Sequence, residues 1–259
     1  MHAAPAAAQK AAASAAGFVA ARITRIQTIA NGVKRVNLTL DQTPPPTPPP
    51  FTFQPGQWVD FYIDDIEEIT GYSMISSPLE LPDLSLVVQY AKTNRAAEHV
   101  HATARCGDLI WLRSGGSVCW DATLPTAGSV LMLAGGIGVT PYCSMLQHVN
   151  VAQQHKKPIA NKCALLHSSR NSVLVDDLEQ MAALSPGNIY YQHSATDGTS
   201  SGSSGRLNAA AIEEALHFLM SEEVVPMCCG SVPFVKSMQS ILVNDFNYNL
   251  EDVVVERWW

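Results

Sequence analysis

Residues Ser129-Val130-Leu131-Met132-Leu133-Ala134 form an apolar run that passes without a spacer into Gly135-Gly136-Ile137-Gly138-Val139-Thr140-Pro141. An uninterrupted apolar run reads as a strand buried on both faces, which belongs in a parallel sheet covered by helices. The glycines that follow let backbone N–H groups come close to a pyrophosphate at the positive end of the next helix. The sequence predicts that helix over residues 142–148, with Thr140 as its N-cap and Pro141 at its first position. A tight strand-to-helix turn with no ligand is the alternative reading of the same residues.

The rest of the chain divides around this segment. Strands are predicted at 130–134, 163–168, 189–193, 226–229 and 252–256, alternating with helices, which implies a parallel sheet with helices on both faces. Upstream, the runs 21–29 and 33–40 meet at Asn31-Gly32, a strong hairpin signal. Further strands are predicted at 58–63, 84–90 and 109–113, with a helix at 95–104 capped by Asn94. The expected organisation is therefore an alanine-rich flexible extension over 1–18, an antiparallel β-barrel over 19–125 and an α/β domain with a parallel sheet over 126–259. The boundary falls near Leu124-Pro125-Thr126. The proline run at 43–50 is expected to be extended polyproline, either a surface spacer or a segment that recruits a proline-reading domain. The Ser/Gly run at 198–205 reads as a loop.

Composition excludes several classes of function. A formal charge of −7 over 259 residues leaves no electrostatic footprint for nucleic acid. The six cysteines, at 106, 119, 143, 163, 228 and 229, show no C-x-x-C spacing. Neither a zinc ribbon nor a plant-type iron–sulfur cluster is encoded, and reduced buried thiols are expected. The eight histidines have no metal-site spacing; His99 and His101, two apart on one helix, point away from each other. No apolar run is long enough for a transmembrane segment. The start of the chain has no acidic residue before Asp41. It reads either as an organelle-targeting segment or as a plain tail, and a mitochondrial location is slightly favoured over a cytoplasmic one.

Four further segments accompany the glycine turn: Phe53-Gln54-Pro55-Gly56-Gln57-Trp58-Val59, Tyr72-Ser73-Met74-Ile75-Ser76-Ser77-Pro78, Cys228-Cys229-Gly230-Ser231-Val232-Pro233-Phe234 and the terminal Glu256-Arg257-Trp258-Trp259. In this order and spacing, over about residues 19–259, the chain resembles the ferredoxin-NADP reductase superfamily, and within it the small oxidoreductase NAD-binding domain-containing type. The resemblance implies an FAD-binding barrel and a domain that binds NADH or NADPH. Tyr72 would pack on the flavin and the Ser73 hydroxyl would face its reacting nitrogen. Where the family places an arginine that binds the flavin phosphate, this chain has Thr70. The helix start at Thr93 and Asn94, with Lys92 and Arg95 beside it, is the partial substitute. Gly115 and Gly116 would turn toward the adenine half of the flavin.

On the nucleotide side, the resemblance assigns Gly135, Gly136, Gly138 and Thr140 to the pyrophosphate turn, and Cys229 and Gly230 to the approach of the nicotinamide ring. Ser168 and Arg170 fall where ribose and phosphate contacts occur. Ser194, followed by Ala195 where NADPH enzymes often carry arginine, favours NADH, with Arg206 able to swing in. Trp258 would stack on the flavin ring. Ser73, Cys229, Glu256 and Trp258 are the expected catalytic residues. The implied function is hydride transfer from NAD(P)H to flavin and then electron delivery to a separate acceptor, which could be a protein. Two rivals accompany it: a non-catalytic interaction module with weakened flavin binding, and an electron-transfer subunit of a larger complex.

Overall fold

The computed structural model describes residues 17–41, 51–64, 66, 68–196, 205–221 and 223–257. The alanine-rich start, the polyproline run, most of the Ser/Gly loop and the two terminal tryptophans lie outside these residues.

Alternation of apolar and polar residues builds the first sheet. Strands β1 (Val19–Ala30), β2 (Val33–Leu40), β3 (Trp58–Tyr62), β4 (Ile69–Ser73), β5 (Asp83–Gln89) and β6 (Leu109–Gly115) are ordered β4-β3-β6-β1-β2-β5, and all pairs are antiparallel. A bridge from Met74, directly after β4, to Leu86 on β5 joins the two edges into a barrel. Val59, Phe61, Ile23, Leu38, Leu86 and Ile110 fill its interior. The Asn31-Gly32 turn closes the first hairpin, with Gly32 at φ +67. Helix α1 (Arg95–Ala102) buries Ala96, Ala97 and Val100 against the barrel. It ends two residues before the boundary predicted from sequence.

The second sheet is parallel, with strands β7 (Ser129–Gly135), β8 (Cys163–Ser169), β9 (Ile189–Ala195), β10 (Val224–Gly230) and β11 (Val254–Arg257) in the order β11-β10-β7-β8-β9. Helices α2 (Thr140–Gln154), α3 (Val175–Leu184), α4 (Ala209–Leu219) and α5 (Val232–Phe246) cover it. Strand order reverses between β7 and β10. Chains leaving the carboxyl ends of those two strands diverge to opposite faces, which opens a crevice at that point. Among the described residues, no helix is long and apolar enough to cross a membrane, and no cluster of His, Cys, Asp and Glu could hold a metal ion.

Polar contacts lock the barrel to the second domain. The Ser77 hydroxyl lies 2.9 Å from His148 Nδ1 on α2, and His148 Nε2 lies 3.1 Å from Asp121 in the connecting segment. This is the order of a hydrolytic triad, but Ser77 and His148 are buried, so no substrate reaches them. Burial lowers the His148 pKa and Asp121 opposes that shift, so the neutral ring donates to Asp121 and accepts from Ser77. Ser144 on α2 donates to the Ser76 carbonyl at 2.7 Å and accepts from the Gly56 amide at 3.3 Å. Arg35 on β2 bonds Asp177 on α3 at 2.7 Å. Among the described residues, these hydrogen bonds and the Arg35–Asp177 ion pair tie the two sheets together.

Candidate active site

Two adjoining cavities lie between the domains. One, of about 630 Å³, sits over the crevice at the strand-order reversal and is lined by Gly135, Gly136, Ser168, Arg170, Ser231 and Phe234, among others. The other, of about 230 Å³, is lined by Gly71, Tyr72, Ser73, Tyr90, Asn94 and Thr140, among others. Gln89 and Ile137 line both.

The glycine turn has a different internal logic from the one its sequence implies. Residues Gly136–Val139 form a 3-10 turn that runs directly into α2, with Val139 and Thr140 already helical. Thr140 is therefore not the N-cap: that position is Val139, which offers no side-chain bond, and the Thr140 hydroxyl instead donates to the Ile137 carbonyl at 3.0 Å. An N-cap needs an extended backbone to swing its side chain over the helix start, and the continuous helical dihedrals deny that. No side chain caps the turn, which leaves its N–H groups for a ligand.

The three glycines serve different ends. Gly136, at φ +58, has nothing within 4 Å of where a Cβ would stand, so it opens on the cavity. A Cβ on Gly138 would lie 2.5 Å from the Cys229 carbonyl oxygen, so this glycine lets α2 rest on the end of β10. A Cβ on Gly135 would lie 2.7 Å from the Phe234 ring, and one on Gly230 3.0 Å from it. Phe234 thus plugs the gap between the ends of β7 and β10. Sequence reasoning did not select Phe234; its signal was an aromatic four residues after Gly230, facing two side-chain-free positions.

His167 holds the turn from below. Its Nε2 lies 3.0 Å from the Gly136 carbonyl, which can only accept, so the proton is on Nε2 and Nδ1 accepts from the Tyr191 hydroxyl at 3.4 Å. Burial, then the neighbouring His193, pushes the His167 pKa down to about 3. The ring is neutral at physiological pH and keeps this arrangement.

Of the other nucleotide-side residues, Ser168 and Arg170 line the larger cavity, and Ser231 begins α5 with no side-chain cap. Ser194 is buried, and the strand-tip residue that lines the cavity is Thr196. Arg206 is exposed. Cys229 is fully buried at the end of β10, paired across the sheet with Glu256. Burial pushes the Glu256 pKa up to about 7, and its Oε2 is buried without a hydrogen-bond partner. The buried hydroxyl of Tyr142 also lacks a partner; its pKa is raised well above normal by burial, then by Cys229, Cys228 and Glu256. Trp258 lies outside the described residues.

On the barrel side, Tyr72 lines the smaller cavity, donates to the Asn94 side-chain oxygen at 3.3 Å and meets Phe61 edge-on at 5.4 Å. Burial raises its pKa. Ser73 also lines that cavity, and its hydroxyl is buried without a partner. These two groups suit a flat ring with polar edges: an aromatic side for its face and a hydroxyl for a ring nitrogen.

The surroundings of the barrel-side glycines do not suit a dinucleotide. A Cβ on Gly115 would stand 2.8 Å from the Trp58 ring, one on Gly116 2.6 Å and one on Gly71 3.6 Å, so the indole of Trp58 lies along this glycine stripe. At the start of α1, the Asn94 side chain accepts from the Ala97 amide at 2.8 Å and a Glu68 carboxylate oxygen accepts from the Arg95 amide at 3.3 Å. The Arg95 guanidinium donates to the Ile66 carbonyl at 3.0 Å. Thr93 is exposed and does not line the cavity. The Glu68 carboxylate, two residues before Thr70, thus occupies an amide at the start of α1.

Residues 132–240 match the oxidoreductase NAD-binding domain. The chain is 28% identical over 251 residues to oxidoreductase NAD-binding domain-containing protein 1 of Xenopus laevis, covering 88% of this chain and 75% of that protein. The flavohem-like FAD/NAD-binding domain of Vibrio cholerae nitric oxide dioxygenase superposes with TM-score 0.72 at 16% identity, covering 93% of this chain and 98% of that one. Ferredoxin-NADP+ reductase of Plasmodium falciparum, solved with 2′P-AMP, superposes with TM-score 0.72 at 15% identity, covering 93% and 96%.

Proposed function

We propose that this chain, a ferredoxin-NADP reductase-like protein with an oxidoreductase NAD-binding domain, transfers a hydride from a reduced nicotinamide nucleotide to a flavin ring held on the Tyr72–Ser73 face. The electrons then pass to a separate acceptor. The observation that carries this reading is the junction of the two cavities at Gln89 and Ile137. A dinucleotide laid over the Gly136 turn reaches a ring on the barrel only there.

The chain's own residues divide the work. The 3-10 turn leading into α2 and the start of α5, neither with a side-chain cap, offer N–H groups and the positive ends of two helix dipoles to a pyrophosphate. His167 fixes the Gly136 carbonyl, and Arg170 and Ser168 stand where ribose or phosphate groups can be held. A flavin held on the barrel supplies the hydride acceptor that no protein side chain offers. Tyr72 orients the ring face, and Ser73 Oγ, without a protein partner, is placed to hydrogen-bond a ring nitrogen. Glu256, protonated up to about pH 7 because it is buried, is a proton source beside Cys229. Alignment of donor and acceptor is the protein's main contribution to rate.

The lack of an arginine two residues before Tyr72 favours NADH as donor no more than NADPH; the preference for NADH rests on Ala195 at the tip of β9. Oxidation of NADH and of NADPH by the purified full chain, with flavin and a small artificial electron acceptor added, tests the reading. The expected result is flavin-dependent oxidation with the lower KM for NADH. Oxidation no faster than in a protein-free mixture, with either nucleotide, contradicts it and favours the non-catalytic module.

A further inference from the structure

We infer that the flavin is not a resident cofactor of this chain but an exchangeable substrate, taken up as a ring with little or no phosphate and released as dihydroflavin. The inference rests on the proposed hydride transfer and specifies its acceptor. Four observations carry it. The cavity beside Tyr72 and Ser73 measures about 230 Å³, below the roughly 300–1,000 Å³ of clefts that enclose a whole drug-sized ligand, so it takes a ring rather than a dinucleotide. The stripe over Gly71, Gly115 and Gly116 is taken by the Trp58 indole.

The charge around the helix start is the third observation. The Arg95 amide is already bonded to the Glu68 carboxylate and the Arg95 guanidinium to Ile66. Asp64, Asp65, Glu67 and Glu68 precede Thr70 in the sequence. Lys92, exposed at the same turn, is a single hydrated ammonium rather than a planar fork, and the Glu68 carboxylate occupies the Arg95 amide that a phosphate would use. A diphosphate there meets like charge rather than a guanidinium fork, and like charges a few ångströms apart repel strongly away from bulk water. Fourth, Ser73, 3% exposed, lines the cavity, and its hydroxyl has no protein partner. That provides for a polar ring edge, and the phosphate side has no equivalent.

The reaction balances without a further component. Reduced nicotinamide gives a hydride from C4, the flavin takes it at N5 together with one proton from the Glu256 carboxyl, which solvent reprotonates, and the products are oxidised nicotinamide nucleotide and dihydroflavin. The dihydroflavin leaves the cleft with the electron pair.

The test is steady-state oxidation of NADH and NADPH by the purified full chain with riboflavin, FMN or FAD as the second substrate, together with the flavin content of the protein as isolated. Expected are a substoichiometric flavin content and KM values rising from riboflavin to FMN to FAD, with FAD at least about tenfold above riboflavin, about 1.4 kcal/mol. Glu68→Gln is expected to lower the KM for FAD several-fold and to leave that for riboflavin unchanged, and Thr70→Arg to act in the same direction. If Thr70→Arg does not fold, the wild-type order and Glu68→Gln still decide. One FAD per chain retained through purification, the lowest KM for FAD, or an equal effect of Glu68→Gln on all three flavins overturns the inference and leaves the hydride-transfer reading standing. Absence of turnover with every flavin and both nucleotides, with no flavin binding, removes both.

Discussion

The two sides of the cleft use the same materials in opposite ways. Each has a pair of adjacent glycines at a strand end and a helix start nearby. At the nucleotide side, Gly136 faces open space, and the starts of α2 and α5 carry no side-chain cap. At the barrel side, Gly115 and Gly116 face the Trp58 ring, and the start of α1 is bonded to Asn94 and Glu68. A missing Cβ thus leaves open space in one case and makes room for the chain's own indole in the other. A helix start carries no side-chain cap in one place and is satisfied internally in the other. The lesson is that a glycine pair marks close approach without saying what approaches.

The sharpest way to break the comparison is within the nucleotide turn itself. Gly138→Ala is expected to destabilise the fold by about 3 kcal/mol, since its Cβ would meet backbone that cannot yield. In a chain of this size that lowers Tm by roughly 10 °C, read by calorimetry. An unchanged Tm would mean that α2 does not rest on β10. Gly136→Val, two residues away, is expected to weaken nicotinamide-nucleotide binding by about tenfold or more while flavin binding persists. The branched side chain enters the open cavity and strains a positive φ. Equal loss of both ligands would indicate general misfolding rather than a separate site.

The pH dependence of Glu256 probes the end of β10, where it pairs with Cys229. Burial raises its pKa from 4.5 to about 7, so the folded state binds its proton more tightly than the unfolded chain. Stability from this group is therefore lost as pH rises from about 4.5 through 7, where the folded protein must carry an ill-solvated charge. Glu256→Gln is expected to be more stable relative to wild type at pH 8 than at pH 5, by chemical denaturation at both. It is also expected to remove a decline in hydride-transfer rate above about pH 7. A stability difference independent of pH would show that Glu256 is solvated. The smallest expected effect belongs to Trp58→Ala: vacating the glycine stripe should lower the KM for FAD by about threefold, roughly 0.7 kcal/mol, and leave that for riboflavin unchanged. A parallel rise for both would mean that Trp58 only supports the barrel.

The sheets and their class were legible because both periodicities are strong: alternation in β1 and β2, and unbroken apolar runs in β7 and β8. Strand β4 was not predicted. Its five residues, Ile69 to Ser73, mix exposed and buried positions around Gly71 and become a strand through pairing with β3. The site was legible where it is local, as in the Gly135–Thr140 turn, and Asn94 was found as a cap by its position before the helix. Trp58, Glu68 and Phe234 were not, since their meaning depends on partners brought together by register: Trp58 opposite Ser73 and Gly115, Phe234 over the ends of β7 and β10. Thr140 misled because a helix that grows from a 3-10 turn has no extended N-cap residue.

The most direct measurement is a single-turnover experiment under anaerobic conditions: the full chain with riboflavin is mixed with NADH carrying deuterium or protium at the transferred C4 position. The expected result is loss of the blue flavin absorption band far faster than in protein-free solution, slowed by deuterium, and abolished in rate advantage by Gly136→Val. Bleaching no faster than in the protein-free mixture, or equally fast with Gly136→Val, would contradict hydride transfer across this cleft.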